Sequence, residues 1–176
     1  YAQALAEYQK LYDNKSRILK DYRERPSLLD PLPEFNYRMA QVGSILISYR
    51  ARYLQELSRQ AAVYHMDFSG GKEQLSLLYQ TVSTVTDPFA EKTEIFYQIL
   101  EHQQAHYHAE LESGQCLTGP HKDDFEAKLD ELSVKAYGSQ GQTRTAAISL
   151  KLAERELFRR DTGEEPVLLL DDVLSE

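Results

Sequence analysis

Residues 137–176, YGSQGQTRTAAISLKLAERELFRRDTGEEPVLLLDDVLSE, decide how the rest of the chain is read. They divide into three parts. Gly138-Ser139-Gln140-Gly141-Gln142 is a glycine-containing loop. Residues 143–160 carry Ala146, Ala147, Leu150, Ala153, Leu157 and Phe158 at roughly helical spacing. After the turn DTGEE, Val167, Leu168, Leu169 and Leu170 form a continuous apolar run, expected to be a strand buried on both faces, and Asp171 and Asp172 follow at once.

The chemistry of the two ends is complementary. Backbone N–H groups in a loop that opens a helix are unpaired and sit at the positive end of the helix dipole, so residues 138–142 suit an anion. The Ser139 hydroxyl and the Gln142 amide add donors. Two carboxylates at the carboxyl end of a core strand are costly to bury without a cation, a water or a basic group facing them. In phosphoryl transfer one such carboxylate holds Mg²⁺ and a neighbour orients the attacking water, roles that fit Asp171 and Asp172 in that order. Taken alone, the strand end also fits an ordinary exit into solvent.

With the loop and the strand together, GSQGQ followed by a helix and VLLLDD resembles the signature motif and Walker B strand of ABC-type ATPases, in the form carried by the RecF family. GPHKDDF at residues 119–125, SLKLAERELF and the ending LLLDDVLSE carry the same resemblance, which covers about the last third of the chain. It implies an ATP-gated homodimer in which Ser139, Gly141 and Gln142 close on the γ-phosphate of ATP held by the other subunit, with Gly138 and Gln140 in the same nucleotide-contacting loop. Asp171 matches the Walker B aspartate and metal ligand. Asp172 stands where many relatives have a glutamate, and its shorter side chain fits slow hydrolysis. The resemblance further implies ATP and Mg²⁺ as cofactors, a cytoplasmic location, and DNA, RecR and RecO as partners. The task it implies is helping load RecA at gaps in recombinational repair and SOS induction.

A departure accompanies the match. No GxxxxGK[ST] occurs, and Gly70-Gly71-Lys72 lacks both the leading glycine and the following Ser or Thr. The chain is therefore expected to have no tight ATP site or ATPase activity by itself. It reads as a segment of a longer protein with weak ATPase activity, the P-loop lying before Tyr1 and the remaining sheet after Glu176. On that view it is either the signature-bearing part of an ATP-gated clamp or a non-catalytic module whose arm docks RecR. Heads of the SMC type are a third reading, but their arms run through sustained heptads, whereas Pro26, Pro31 and Pro33 interrupt this one.

Composition agrees with a globular piece having a core of its own, 41% hydrophobic and 27% charged over 176 residues. A single cysteine, Cys116, excludes an internal disulfide, and no apolar run is long enough to span a membrane. The net charge of −8 is uneven. Residues 1–64 carry 10 Lys and Arg against 7 Asp and Glu, and the remainder carries 10 against 21. Basic residues among tyrosines on the first two helices, with Arg50, Arg52 and Arg59 as candidate DNA contacts, fit a phosphate-gripping ridge or a solvated surface.

The expected fold is α/β and predominantly helical, with a helical arm over 1–112 and a partial ATPase head over 113–176. Helices are expected to Arg25 and from Glu34 to Tyr64, running antiparallel, with a strand from Leu75 to Val85 and a third helix opening at Thr86-Asp87-Pro88. QCLTG is expected to be a strand, and residues 125–137 a hairpin about Asp130-Glu131. On the third helix His102, His106 and Glu110 share a face and suit a divalent metal, with a polar outer face as the competing reading. His121 and Lys122 face either the nucleotide or their own loop.

Overall fold

Proline and glycine set the breaks between helices. The computed structural model describes residues 1–169. Helix α1 (Ala2–Asp21) closes with the Tyr22 N–H on the Ile18 carbonyl, and Pro26 then opens a 3-10 turn, Pro26–Leu29. Helix α2 (Leu32–Ser69) is 38 residues long and takes Pro33 into its first turn, where a missing N–H breaks no intrahelical bond. The connector is thus shorter than the sequence suggests. Tyr1 reaches Arg50 (3.3 Å) and Glu7 pairs with Arg38 (2.8 Å), so α1 and the first half of α2 run antiparallel. Gly70 and Gly71, both at positive φ, turn the chain out of α2.

Strand β1 (Leu75–Gln80) stops short of Val85. Asp87 caps a tight turn instead of a helix, its carboxylate accepting from the Phe89 N–H (2.8 Å), and helix α3 (Lys92–Ser113) begins later than expected. Gly114, at φ 67°, ends it. QCLTG is not a strand. The Leu117 and Thr118 N–H groups donate to Glu110 Oε1 (2.8 and 3.3 Å), so a side chain takes the donors that a neighbouring strand would need.

A 3-10 turn, Pro120–Lys122, leads to β2 (Asp124–Leu129) and β3 (Leu132–Ser133). The hairpin pairs Lys128 with Ser133 and Leu129 with Leu132, antiparallel. Asp130 (φ 47°) and Glu131 (φ 71°) form its two-residue turn, both left-handed as the strand twist requires. Asp130 also exchanges hydrogen bonds with the Gln74 backbone, at 3.0 and 3.1 Å, tying the turn to the entry of β1. The sheet order is β1-β2-β3. Residues 134–137, expected within the hairpin, form instead a single helical turn, α4 (Val134–Tyr137). Helix α5 (Gln140–Thr162) follows and is ended by Gly163.

Two compact units result: Tyr1–Ala51 with Thr81–Asp124, and Arg52–Gln80 with the described part of Phe125–Glu176. Helix α2 contributes to both. In the first unit Tyr8, Ile18, Leu19, Leu32, Met39, Leu46 and Cys116 pack together. The same unit buries the ion pair Lys15–Glu110 (2.6 Å), with the side chains 0% and 1% exposed. In the second, Leu54, Leu57 and Ala61 of α2 pack with Leu75, Leu129, Ala146, Ala153 and Leu157. The expected strand after Pro166 is absent among the described residues, where Val167 and Leu169 are 86% and 88% exposed. A strand needs a neighbour for its backbone groups, and here the chain is held back along α5, with Glu165 paired to Arg155 at 3.0 Å.

Candidate functional site

The loop before α5 forms the capped N-terminus of that helix. Ser139 is the N-cap: its Oγ accepts from the Gln142 N–H (3.2 Å), and Gln142 Oε1 accepts from the Ser139 N–H (2.9 Å). This reciprocal capping box fixes the first turn. Ser139, Gln140 and Gly141 are exposed, and the Ser139 hydroxyl hydrogen has no acceptor among the described residues.

The two glycines differ in what they answer to. A Cβ on Gly138 would lie 2.5 Å from the Val134 carbonyl and 3.1 Å from Val134 Cγ1, so the fold itself demands glycine there. A Cβ on Gly141 would meet nothing within 4 Å, and Gly141 does not have a positive φ. Glycine in a helix costs about 1 kcal/mol relative to alanine, and at Gly141 nothing in the chain requires it.

Behind the loop, Gln142 Nε2 donates to Glu73 Oε1 (2.7 Å) and Glu73 Oε2 meets His65 Nε2 (3.1 Å). His65 is fully buried, and its Nδ1 lies 3.5 Å from Ser149 Oγ. The hydrogen bonds from Gln142 and then His65 hold the Glu73 carboxyl below its usual range. Sequence reasoning passed over both residues. His65 continues the apolar stripe Leu54, Leu57, Ala61 at helical spacing, and a histidine in that register is the one signal that marked it.

The other candidates are placed as follows. Asp171 and Asp172 lie outside the described residues. Arg50 is used internally, donating to the Pro120 carbonyl and pairing with Asp123 (3.3 Å). Arg52 is exposed, and Arg59 is exposed and paired with Glu56 (2.6 Å). His121 is held by its own loop. Its Nε2 donates to the Cys116 carbonyl (3.0 Å), which leaves Nδ1 to accept from the Tyr8 hydroxyl (2.9 Å). Burial and then the neighbouring Lys122 charge keep it neutral by lowering its pKa, against the opposing Cys116 bond. A Cβ on Gly119 would lie 2.1 Å from the same Tyr8 oxygen, and φ there is +130°, so glycine is fixed twice over.

The metal reading of α3 fails among the described residues, where no group of His, Cys, Asp and Glu could hold an ion. His102 bonds Thr118 (2.9 Å), His106 bonds the His102 carbonyl (2.9 Å) and stacks on its ring, and Glu110 is committed to Lys15. Burial pushes the Cys116 thiol up to about 11. No described helix is long and apolar enough to cross a membrane.

Comparison with known proteins places this geometry. No family model matches the chain. It is 35% identical over 176 residues to the DNA replication and repair protein RecF of Acetivibrio thermocellus and 38% identical over 179 residues to that of Synechococcus sp. (strain JA-3-3Ab). Each alignment covers all of the chain and 47% of the relative, so the chain spans about half the length of the curated relatives it matches. Among solved structures it superposes on the recombination mediator protein RecF-ATPrS of the RecFOR pathway with a TM-score of 0.91 at 34% identity, covering 100% of this chain and 47% of that one. The RecF-ATP structure gives 0.90 at 33%, covering 99% and 46%. The likeness is not confined to the GSQGQ loop but runs through the helices and the sheet, and the chain corresponds over its whole length to a segment of the RecF proteins.

Proposed function

We propose that this chain supplies the signature loop of an ATP-gated DNA replication and repair protein, acting on nucleotide held by a second subunit. The observation that carries the reading is Gly141. It stands in open space in the first turn of a capped helix, where the chain has no use for a glycine and an approaching phosphate oxygen does. Ser139 and Gly141 are exposed, which leaves the Ser139 hydroxyl and the Gly141 N–H open to a ligand, while Gln142 is committed to Ser139 and Glu73.

No GxxxxGK[ST] occurs among these residues, so in this reading the ATP that the loop meets is held by a P-loop of the second subunit. Asp171 would hold Mg²⁺, which supplies charge neutralisation on the phosphates, and Asp172 would orient the attacking water. The relatives' names, a DNA replication and repair protein and a recombination mediator of the RecFOR pathway, support DNA as the substrate and suggest RecR and RecO as partners; help in loading RecA is the outcome this reading adds. Residues 1–112 would be the arm and 113–176 part of the head. Of the arginine ridge, Arg52 and Arg59 retain a role at DNA phosphates, whereas Arg50 is held by Pro120 and Asp123. The test is sedimentation, with ATP and Mg²⁺, of the protein that carries its P-loop. Ser139→Arg should remain monomeric while binding ATP normally, and an ATP-dependent dimer of that variant would remove the role in trans.

A further inference from the structure

We propose that Glu73 and His65 are positioning residues for the 138–142 loop, holding Gln142 so that the first turn of α5 presents Gly141 and Ser139 at one fixed angle. The proposal rests on the reading of that loop as a γ-phosphate sensor.

The argument begins with the two faces of the Gln142 amide. Its oxygen takes the Ser139 N–H at 2.9 Å and its nitrogen donates to Glu73 Oε1 at 2.7 Å. An ionised carboxylate only accepts, so Glu73 dictates which way the amide is turned. It thereby keeps the acceptor under Ser139, and the hydrogen bonds Glu73 receives keep it ionised. Glu73 is fixed in its turn by His65 Nε2 at 3.1 Å, and the His65 ring is buried, with Ser149 Oγ 3.5 Å from its other nitrogen. Ser149 donates to the Thr145 carbonyl (2.8 Å).

The hydrogen-bonded chain therefore leaves α5 at Gln142 and runs through Glu73 before β1 to His65 near the end of α2, and the buried His65 ring lies against Ser149 of α5. Gln142 is thus tied to α2 through a ring that also packs on the next turns of its own helix. The capping box would be complete without Glu73, and the Glu73 side chain is a quarter exposed, at 26%. Its carboxylate serves the buried His65 Nε2, but the cap of α5 does not need it. What it adds is orientation, the function of outer-layer hydrogen bonds behind a site that must meet its ligand to within a fraction of an ångström.

The experiment compares variants of the protein that carries its P-loop, with ATP affinity and ATP-dependent dimerisation measured separately. Glu73→Ala should weaken the ATP-dependent dimer about tenfold, the loss expected for one charge-assisted hydrogen bond, and leave ATP affinity of the monomer unchanged. Glu73→Gln should dimerise normally, since its oxygen accepts from Gln142 and its amide donates to the other His65 tautomer. If Glu73→Ala does not fold, Gln142→Glu asks the same question by setting two carboxylates against each other. It should lose dimerisation, and adding Glu73→Gln should restore it. Normal dimerisation of Glu73→Ala, or no restoration in the double variant, would overturn the proposal. Ser139→Arg in the same series separates the causes. If it blocks dimerisation while Glu73→Ala does not, only the positioning role falls. If it also dimerises normally, the γ-phosphate reading falls, and the positioning role with it.

Discussion

Replacing Gly141 by alanine should raise stability and abolish ATP-dependent association at once. The new Cβ meets nothing within 4 Å, so no clash opposes the gain. The gain comes mainly from the unfolded chain, which loses conformational freedom when glycine becomes alanine at a compatible backbone position, and is worth about 0.4–1 kcal/mol. For a chain of this size that raises the melting temperature by roughly 1–4 °C. In the assembled site the same methyl group fills the space over the Gly141 N–H that a phosphate oxygen must enter. The assay pairs thermal unfolding of this chain, followed by circular dichroism, with sedimentation of the P-loop-containing protein in ATP and Mg²⁺. Gly138→Ala is the control. Its Cβ would press on the Val134 carbonyl at 2.5 Å and should destabilise by about 1–3 kcal/mol. If Gly141→Ala melts lower than wild type, the open-space geometry is wrong. If it melts higher and still dimerises normally, the glycine is not there for a ligand.

Other consequences can be checked in the isolated chain. Cys116 should resist thiol reagents at neutral pH and react on unfolding, because burial raises its pKa to about 11; rapid labelling of the native chain would contradict this. Burial lowers the pKa of both His102 and His121 in the folded chain, so the unfolded chain takes up those protons first as pH falls. Their contribution to stability is complete above an ordinary histidine pKa of about 6.5 and is lost as pH drops below it, by at most about 1.4 kcal/mol per pH unit for each proton. Chemical unfolding at pH 7.5 and 5.5 should show the loss, and His121→Gln should reduce it; a pH-independent curve refutes the assignment. Lys15→Met leaves the Glu110 charge buried without its partner and should cost about 3–5 kcal/mol. A cost below about 1 kcal/mol would mean that the backbone N–H groups of Leu117 and Thr118 suffice for Glu110.

Where the sequence alone succeeded, the determinants are local. The loop at residues 138–142 precedes a periodic apolar stripe, and α5 opens there. Asp130-Glu131 lies between two alternating runs, and the hairpin turn forms there. Where the sequence misled, a side-chain hydrogen bond had taken over a backbone preference. QCLTG has strand composition, yet Glu110 supplies the acceptors for its N–H groups. Thr86-Asp87-Pro88 has the residues of a helix start, but Asp87 spends its carboxylate on a turn. Val167 and Leu169 have the composition of a core strand, and among the described residues no strand lies beside them to pair with. The relay behind the loop was invisible for a related reason. Gln142 is separated in sequence from Glu73 and His65 by the whole of β1, α3 and the hairpin, and only the folded chain brings them together.

The claim that the loop acts on the other subunit's nucleotide is tested most directly by a mixed dimer of the P-loop-containing protein. One subunit carries Ser139→Arg and the other a disabled P-loop lysine. If the loop works in trans, both defects fall in the same composite site and the second site is intact, so the mixed dimer should hydrolyse ATP although neither variant does so alone. If the mixed dimer is as inactive as its parents, the loop serves its own subunit and the account is wrong.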